Sequence, residues 1–357
     1  IEQQAQSLAS QAYRVLALAT GSVEVDRQQG FSEKHLQGLT LLGLVGIIDP
    51  LRAEARDAVT RCRQAGIEVA MITGDHPATA LAIAQQLGMA ESQDQLVTGL
   101  ALKQAIDAGT VDSHIRDARV FARVGPHQKL DIVQSMQRNG HFVAVSGDGA
   151  NDAPALRAAQ VGVAMGKSGT DVARETADII ITDDKFDSIV AGIEGGRVAY
   201  ANVRKVIFLL ISTGAAELLL FTLALLTALP LPLVAVQLLW LNLVTNGIQD
   251  VALAFERCEG DELQQPPRSP REAIFNRLMM ERVLISALVI GTIAFLVFQW
   301  LINRGFSLDE ARNGTLLLMV LFENVHVFNC RSEVRSVFLH NPLSNPILLV
   351  GTLTAQL

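Results

Sequence analysis

The run Val206–Leu229 limits what this chain can fold into more than any other feature. Its only charge is Glu217, and about 20 apolar residues in a helix cross the hydrocarbon core of a bilayer. Lipid offers no partners to backbone N–H and C=O groups, so such a run is a helix that spans a membrane or one buried on all sides. It has company. Apolar stretches follow at Val234–Phe255, Val283–Ile302 and about Leu316–Phe328, and another starts at Ile347. The first three are long enough to cross, and the fourth needs its polar flanks to do so. Up to about Gly196 the chain reads instead as a soluble α/β protein, so the 50% hydrophobic content averages two unlike halves.

Arg197, Arg204 and Lys205 precede the first run; Arg257, Arg268, Arg271, Arg277 and Arg282 fill the loop between the second and third; Arg331 and Arg335 follow the fourth. The Pro230-Leu231-Pro232 turn carries no charge. The positive-inside rule therefore places the soluble half and both basic loops in the cytoplasm, with membrane lipid around the remainder. Between Asp187 and Leu229 only the pair Gly195-Gly196 interrupts a helical pattern, so the first span is expected to continue a long stalk helix. A net charge of −7 without a lysine- or arginine-rich tract argues against nucleic acid as a partner. Cys62, Cys258 and Cys330 are odd in number and widely separated, which suggests neither a disulfide framework nor a zinc site and fits a reducing, cytosol-facing soluble half. The chain opens without Met in what reads as mid-helix, Ile1–Thr20, and is expected to be a fragment.

In the soluble half, Leu39–Ile48 is a continuous apolar run ending at Asp49-Pro50-Leu51-Arg52. A helix is expected from Ala53 to Ala65, stopped by Gly66, and then a strand, Ile67–Ile72, ending in Thr73-Gly74-Asp75. Strand, helix, strand predicts a right-handed crossover. A further apolar run, Phe142–Ser146, leads into Gly147-Asp148-Gly149-Ala150-Asn151-Asp152-Ala153-Pro154-Ala155-Leu156. Both aspartates then sit at the carboxyl end of a parallel strand, where open α/β sheets bind ligands. The glycines let the backbone approach a ligand, and two carboxylates and an amide supply the hard oxygens that Mg²⁺ prefers. The plainer alternatives are an acidic turn with a helix cap, Thr73 as N-cap of a helix His76–Leu87, and Lys129 as a surface lysine.

Polar residues interrupt the apolar half. Asn242, Thr245, Asn246, Gln249 and Asp250 recur at helical offsets and, at about 100° per residue, share an arc of roughly 140°. Glu217 lies mid-span, and Glu323 with Asn324 interrupts the fourth run. Each ionised acid at mid-membrane costs about 2.5–3.5 kcal/mol on insertion scales, so three need a ligand or partner. Interhelical hydrogen bonding accounts for Ser212 or Thr213; three acids and a polar stripe point to a cation. Oxygen ligands without a Cys-Pro-Cys string or histidine cluster favour Ca²⁺, Na⁺, K⁺ or protons.

The string Gly147–Leu156 resembles the hinge motif of the P-type ATPases, cation pumps that carry a phosphorylated aspartate on a haloacid-dehalogenase-like domain. The resemblance continues through Thr73-Gly74-Asp75, Phe121–Lys129, Met165–Thr170 and Thr182–Phe186 and covers essentially the whole chain. It implies an α/β, Rossmann-type parallel sheet followed by an α-helical transmembrane bundle. Residues 1–46 would be the tail of a nucleotide-binding domain and 47–196 the C-terminal part of the phosphorylation domain. Residues 197–357 would hold about four complete membrane helices and the start of a fifth. It also implies roles: Thr73 holds a phosphoryl oxygen, Gly74 and Asp75 lie near nucleotide and phosphate, and Lys129 neutralises the transferring group. Asp148 ligates Mg²⁺, Asn151 and Asp152 complete that network, and Asp49 and Arg52 are nucleotide-proximal, with ATP as the bound nucleotide. The family's phosphorylated Asp-Lys-Thr-Gly-Thr does not occur here, since Asp184-Lys185 is followed by Phe186. That aspartate is expected outside this chain, which alone should not phosphorylate itself.

Leu239–Gly247 is similar to the sixth membrane helix of calcium pumps, and Pro266–Pro270 to the loop after it. On that likeness Glu217, Asn242, Thr245 and Glu323 match ion-ligand positions. Asn246 stands where those pumps have Asp, Gly214 where they have Asn, and Asp250 matches an aspartate position of sodium/potassium pumps. The expectation is ATP-driven cation transport through an aspartyl phosphate in a multi-pass protein of the bacterial plasma membrane, with Ca²⁺ as cargo and Na⁺, K⁺ or another cation as alternative. A membrane-anchored haloacid-dehalogenase-like phosphatase is the rival from another class, and it leaves the membrane carboxylates unexplained.

Overall fold

Short apolar strands alternate with alanine-rich helices as far as Gly192, and long helices replace them from there. The computed structural model describes residues 1–9, 11, 13–22, 37–47, 50–269, 272–333, 335–339 and 341–354. They form two units, Ile1–Gly192 with Leu263–Pro267, and Ile193–Glu262 with Arg268–Leu357.

In the first unit, α1 (Glu2–Ala9) is followed by β1 (Arg14–Thr20) and β2 (Thr40–Ile47), which pair antiparallel from Arg14↔Ile47 to Thr20↔Thr40. The helix expected across Ile1–Thr20 therefore stops at Ala9. Short apolar runs read equally well as helix or strand, and the ladder with β2 decides this one. The crossover expected from Leu39–Ile48 is likewise absent, because β2 takes β1 as its partner. After α2 (Ala53–Gln64), β3 is only Met71–Ile72 and offers little to pair with.

Next come α3 (Pro77–Gln86), β4 (Leu96–Thr98), α4 (Gly99–Asp107), α5 (Val111–His114), β5 (Val120–Ala122) and α6 (Pro126–Arg138). Strands β3, β5 and β4 form a parallel ladder in that order. Val120, Phe121 and Ala122 of its central strand are fully buried. A second parallel ladder has the order β6 (Ala144–Gly147), β7 (Val161–Met165), β8 (Ile179–Ile181), with α7 (Ala153–Ala158) and α8 (Asp171–Thr176) in its crossovers. The parallel α/β fold is thus present as two three-stranded ladders. Among the described residues β3 and β6 each have one partner and are edge strands.

Helix α9 (Phe186–Leu226) runs for 41 residues without a break. In the second unit it is followed by α10 (Ala235–Trp240), a π-turn (Leu241–Thr245) and α11 (Asn246–Ala254), then α12 (Arg277–Asn303), α13 (Leu308–Asn329) and α14 (Pro346–Thr354). Among the described residues, α9 and α12 are long and apolar enough to cross a membrane. The other expected spans are helical, but the second is divided by the π-turn and the fourth begins earlier, at Leu308. Ser307-x-x-Glu310 explains that start: Glu310 N–H donates to Ser307 Oγ (3.3 Å) and Ser307 N–H to Glu310 Oε2 (2.9 Å), a capping box legible in the sequence.

Two apolar clusters hold these helices together. One joins Ala216 and Leu220 of α9, Leu241, Ile290 and Phe295 of α12, and Met319 of α13. The other joins Phe208 and Leu209, Leu253 of α11, Val283, Val327 and Leu348 of α14. Beside the second cluster several basic residues of the sequence's inner flanks are buried rather than free. Arg204 forms a two-pronged pair with Glu333 (2.6 and 2.9 Å), and Arg331 does the same with Glu256 (2.7 and 3.1 Å). At 0% and 1% exposure these guanidiniums need such partners, because removing one member of a buried pair costs about 3–5 kcal/mol.

Helix α12 lies close against α9 at Gly291. A Cβ there would lie 2.7 Å from the Ala216 carbonyl oxygen and 3.0 Å from Leu219 Cβ, both unable to give way without moving backbone. Gly291→Ala is expected to destabilise the helical unit by about 1–3 kcal/mol. Gly314→Ala, which meets only the end of the Leu301 side chain at 3.0 Å, should cost less. Thermal unfolding of both variants in detergent checks the order, and equal midpoints would contradict it.

Candidate functional site

Two places collect the polar residues singled out above, one in each unit. In the first, Thr73 and Asp75 follow β3. Thr73 Oγ1 donates to Asp75 Oδ2 (2.9 Å) and accepts from Asp75 N–H (3.1 Å), so it closes the turn on itself. Thr73 is not the cap of α3. His76 fills that position, its Nδ1 accepting from Ala78 N–H at 3.3 Å. Thr73 N–H extends the β3–β5 ladder by donating to the Phe121 carbonyl at 2.8 Å; beyond it the register is left, with Val124 N–H donating to the Thr73 carbonyl and Arg123 N–H to that of Asp75, each at 3.2 Å.

Asp148, Asn151 and Asp152 follow β6 of the other ladder. Asp152 is 9% exposed and turns its carboxylate to Lys129 of α6, Nζ–Oδ1 2.5 Å, while its Oδ2 accepts from Gly149 N–H at 3.1 Å. This ion pair connects the helix after β5 with the turn after β6. It excludes the surface-lysine reading of Lys129. Gly147 makes room for it, since a Cβ there would lie 2.6 Å from Asp152 Cβ. Asp148 and Asn151 are exposed on the turn.

Beside Asp148 lies a cavity of about 300 Å³ whose walls include Arg52, Glu54, Ser146, Ser168 and Asp184. Thr73 does not line it, and the Asp148 turn is tied to α6, the helix after β5, by the Lys129–Asp152 pair. Asp49 lies outside the described residues. Among those described, no three His, Cys, Asp or Glu side chains converge as a metal cage. That suits Mg²⁺, which takes one or two carboxylates and keeps water or phosphate for its other positions. Asp148 at the cavity edge is such a carboxylate.

Asp184 was not singled out on sequence. It is 8% exposed, and its carboxylate accepts from the backbone N–H of Lys167 (2.9 Å) and Ser168 (2.7 Å). The Lys167 bond is the main reason its carboxyl titrates low, at about 2, with desolvation opposing and Ser168 adding to the lowering.

The second place lies in the helical unit, between its two apolar clusters along α9, the α10–α11 run and α13. Glu217 accepts from Asn242 Nδ2 at 3.2 Å on both carboxylate oxygens. Asn246 Nδ2 donates to Thr213 Oγ1 (3.4 Å) and Gln249 Nε2 to Asn324 Oδ1 (2.9 Å). Ser212 Oγ lies 2.7 Å from both the Phe208 carbonyl oxygen and His326 Nε2. The π-turn breaks the ideal wheel assumed for the second span: Asn242 is exposed, whereas Thr245, Asn246 and Gln249 are fully buried. Extra residues of this kind in helices occur frequently at functional sites.

Six buried oxygens here have no hydrogen-bond partner: Thr245 Oγ1, Asn246 Oδ1, Gln249 Oε1, Asp250 Oδ1 and both of Glu323. Most buried polar atoms are satisfied, so six left over on the α10–α11 run and α13 call for a cause. A cation held by these oxygens would satisfy them, as would a buried water. Because the three acids do not form one cage, a cation would be held by mixed carboxylate, amide and hydroxyl oxygens.

A family model described as "Cation transporting ATPase, C-terminus" matches residues 230–357, and models described as "haloacid dehalogenase-like hydrolase" match 4–160 and 130–193. A calcium-transporting ATPase of Bacillus subtilis is 42% identical over 351 residues, 98% of this chain and 39% of that protein. The human calcium-transporting ATPase type 2C member 1 is 36% identical over 359 residues, 100% of this chain and 38% of its own length. The cation-transporting ATPase pma1 of Synechocystis is 41% identical over 321 residues, 90% of this chain and 35% of that protein.

The chain belongs to the cation-transporting ATPases.

It spans less than two fifths of the length of these relatives. Asp184 offers a direct probe of the first of the two polar places. Its carboxyl is lowered on folding from 3.8 to about 2, so the stability it contributes is fully present above about pH 4 and is lost as pH falls through 2. Asp184→Asn should therefore lower the unfolding midpoint of the first unit at pH 6. The gap to wild type should close between pH 4 and 2 in thermal melts followed by circular dichroism. A gap independent of pH would show that the amides do not favour the charged form.

Proposed function

We propose that this chain is part of an ATP-driven pump that moves a cation, Ca²⁺ foremost, across a membrane through an aspartyl-phosphate intermediate. The observation that carries the reading is the group of residues Thr245, Asn246, Gln249, Asp250 and Glu323 whose buried side chains hold six unpartnered oxygens in the helical unit. A phosphatase held by a membrane anchor has no use for it. Names of relatives such as the Bacillus subtilis calcium-transporting ATPase support Ca²⁺ over Na⁺ or K⁺. Residues 1–46 are read as the tail of a nucleotide-binding domain, 47–196 as the phosphorylation domain, and 197–357 as a multi-pass membrane domain. The soluble part would face the cytoplasm, in a bacterial plasma membrane.

In this reading Asp148 holds Mg²⁺, with Asn151 and Asp152 completing its surroundings. When bound, Mg²⁺ supplies positive charge against the phosphoryl oxygens, the main requirement of phosphoryl transfer. Lys129, positioned by Asp152, adds a compact ammonium on the same group. Thr73 offers its hydroxyl to a phosphoryl oxygen, with Gly74 and Asp75 shaping the turn, and Asp49 and Arg52 are read as serving the nucleotide ATP. The phosphorylated aspartate would arrive on sequence outside this chain, and the open edges of β3 and β6 are suited to receive another parallel strand. Glu217, Asn242, Thr245, Asn246, Asp250 and Glu323 would contribute to the cation site. Hydrolysis drives transport because moving one charge against 100 mV takes about 2.3 kcal/mol.

The intact polypeptide in lipid vesicles should hydrolyse ATP with stimulation by Ca²⁺ when assayed against Na⁺, K⁺ and Mn²⁺. Loss of a charged ligand is worth about 1.5–3 kcal/mol. Glu323→Gln and Asp250→Asn should therefore each raise the half-stimulating Ca²⁺ concentration by about tenfold or more. Hydrolysis that no cation stimulates and neither substitution alters would favour the anchored phosphatase instead.

A further inference from the structure

We propose that Asp184 is a positioning residue of the cavity beside Asp148, its carboxylate fixing the loop Gly166–Gly169 and setting a second negative charge near the metal. This deepens the reading of that cavity as the Mg²⁺ site and rests on it. The loop after β7 contributes Ser168 to the cavity wall, yet it belongs to no helix or strand. Its ends are tied by backbone: Gly166 N–H donates to the Ile181 carbonyl and Thr170 N–H to that of Asp148, each at 2.8 Å. The middle is tied by Asp184, whose two oxygens each take one of the consecutive N–H groups of Lys167 and Ser168. The same loop therefore hangs between Asp148 and Asp184.

Asp184 is itself held against alternatives. Its φ is +58, in the left-handed region that Asp enters more readily than most side-chain-bearing residues. The Arg52 guanidinium donates to its carbonyl, and its own N–H donates to Ile181 at 3.4 Å. Arg52 also lines the cavity, so the element that brings a cation to the wall is fastened to the residue that brings an anion. With Asp148 and Glu54 the lining holds three carboxylates against one guanidinium. The Asp184 oxygens are occupied by amides, so it acts on a bound cation through the loop and through its field, and Asp148 remains the ligand. Groups that support a ligand in this way typically change metal affinity 10- to 100-fold when removed.

The test uses Mn²⁺ as a spectroscopic stand-in for Mg²⁺, titrated into the full chain in detergent micelles at pH 7, with free ion read by electron paramagnetic resonance. Asp148→Asn identifies the share of binding due to the cavity. Asp184→Ala, which loses both loop contacts and charge, should weaken that share about tenfold or more, and Asp184→Asn, which keeps shape and one acceptor, by a smaller factor. Thermal melts on the same samples show that the variants are folded at the titration temperature. If Asp148→Asn removes the ion while both Asp184 variants titrate like wild type, the positioning role is wrong and the metal site stands. If Asp148→Asn changes nothing, the metal reading of the cavity itself is wrong. Should Asp184→Ala fail to fold, unchanged Mn²⁺ affinity in Asp184→Asn is sufficient to overturn the proposal.

Discussion

A carboxylate removed from water must find donors or a cation, because its desolvation costs several kcal/mol otherwise. Both units are arranged around that cost. In the first, Asp152 meets Lys129 and a backbone N–H, and Asp184 meets two backbone N–H groups, so the negative charges are satisfied by the fold itself. Around the guanidiniums of Arg204 and Arg331 the helical unit uses the same device with the signs exchanged. Between its apolar clusters it departs from that device: Glu323 is fully buried with neither oxygen paired. A chain able to pair its buried charges elsewhere and leaving these acceptors unmatched presents a site for a species that is not protein.

The Lys129–Asp152 pair shows how short elements create a site. Strands of two to five residues cannot enforce a wide sheet, and among the described residues no strand of one parallel ladder pairs with a strand of the other. The turn after β6 is tied to the helix after β5 by an ion pair 2.5 Å long, for which Gly147 makes room, beside the apolar cluster of Val133, Val143 and Ala155. In the helical unit the corresponding role falls to hydrogen bonds between helices, Asn242 with Glu217 and Gln249 with Asn324. These fix rotation about helix axes where apolar side chains alone would let the helices slide.

Much of this was legible in particular residues. The strand before Gly147, the helix Ala53–Gln64 and the uninterrupted α9 follow from periodicity and from where glycine stands. Lys129, Asp148 and Asp152 were candidates by motif, though nothing in spacing could say that Lys129 pairs with Asp152, 23 positions away. Errors arose where a short apolar run had to choose a partner. Arg14–Thr20 became a strand because Thr40–Ile47 was there to pair with it, and the crossover to β3 was lost for the same reason. The π-turn was invisible because it depends on packing against neighbouring helices, and it separates Asn242 from the buried group that the ideal wheel had joined to it.

By itself the sequence determined the division into an α/β part and an apolar helical part, since hydrophobic periodicity and run length depend only on neighbours along the chain. It also determined which oxygens and amines were available for chemistry. Only the tertiary structure decided which of them meet: that Asp184 holds the loop beside Asp148, that Arg331 is spent on Glu256, and that Glu323 is left without a donor. Those outcomes depend on contacts between residues 16 to 75 positions apart in the chain, which are set by the balance of packing and desolvation over a whole unit rather than by any local preference.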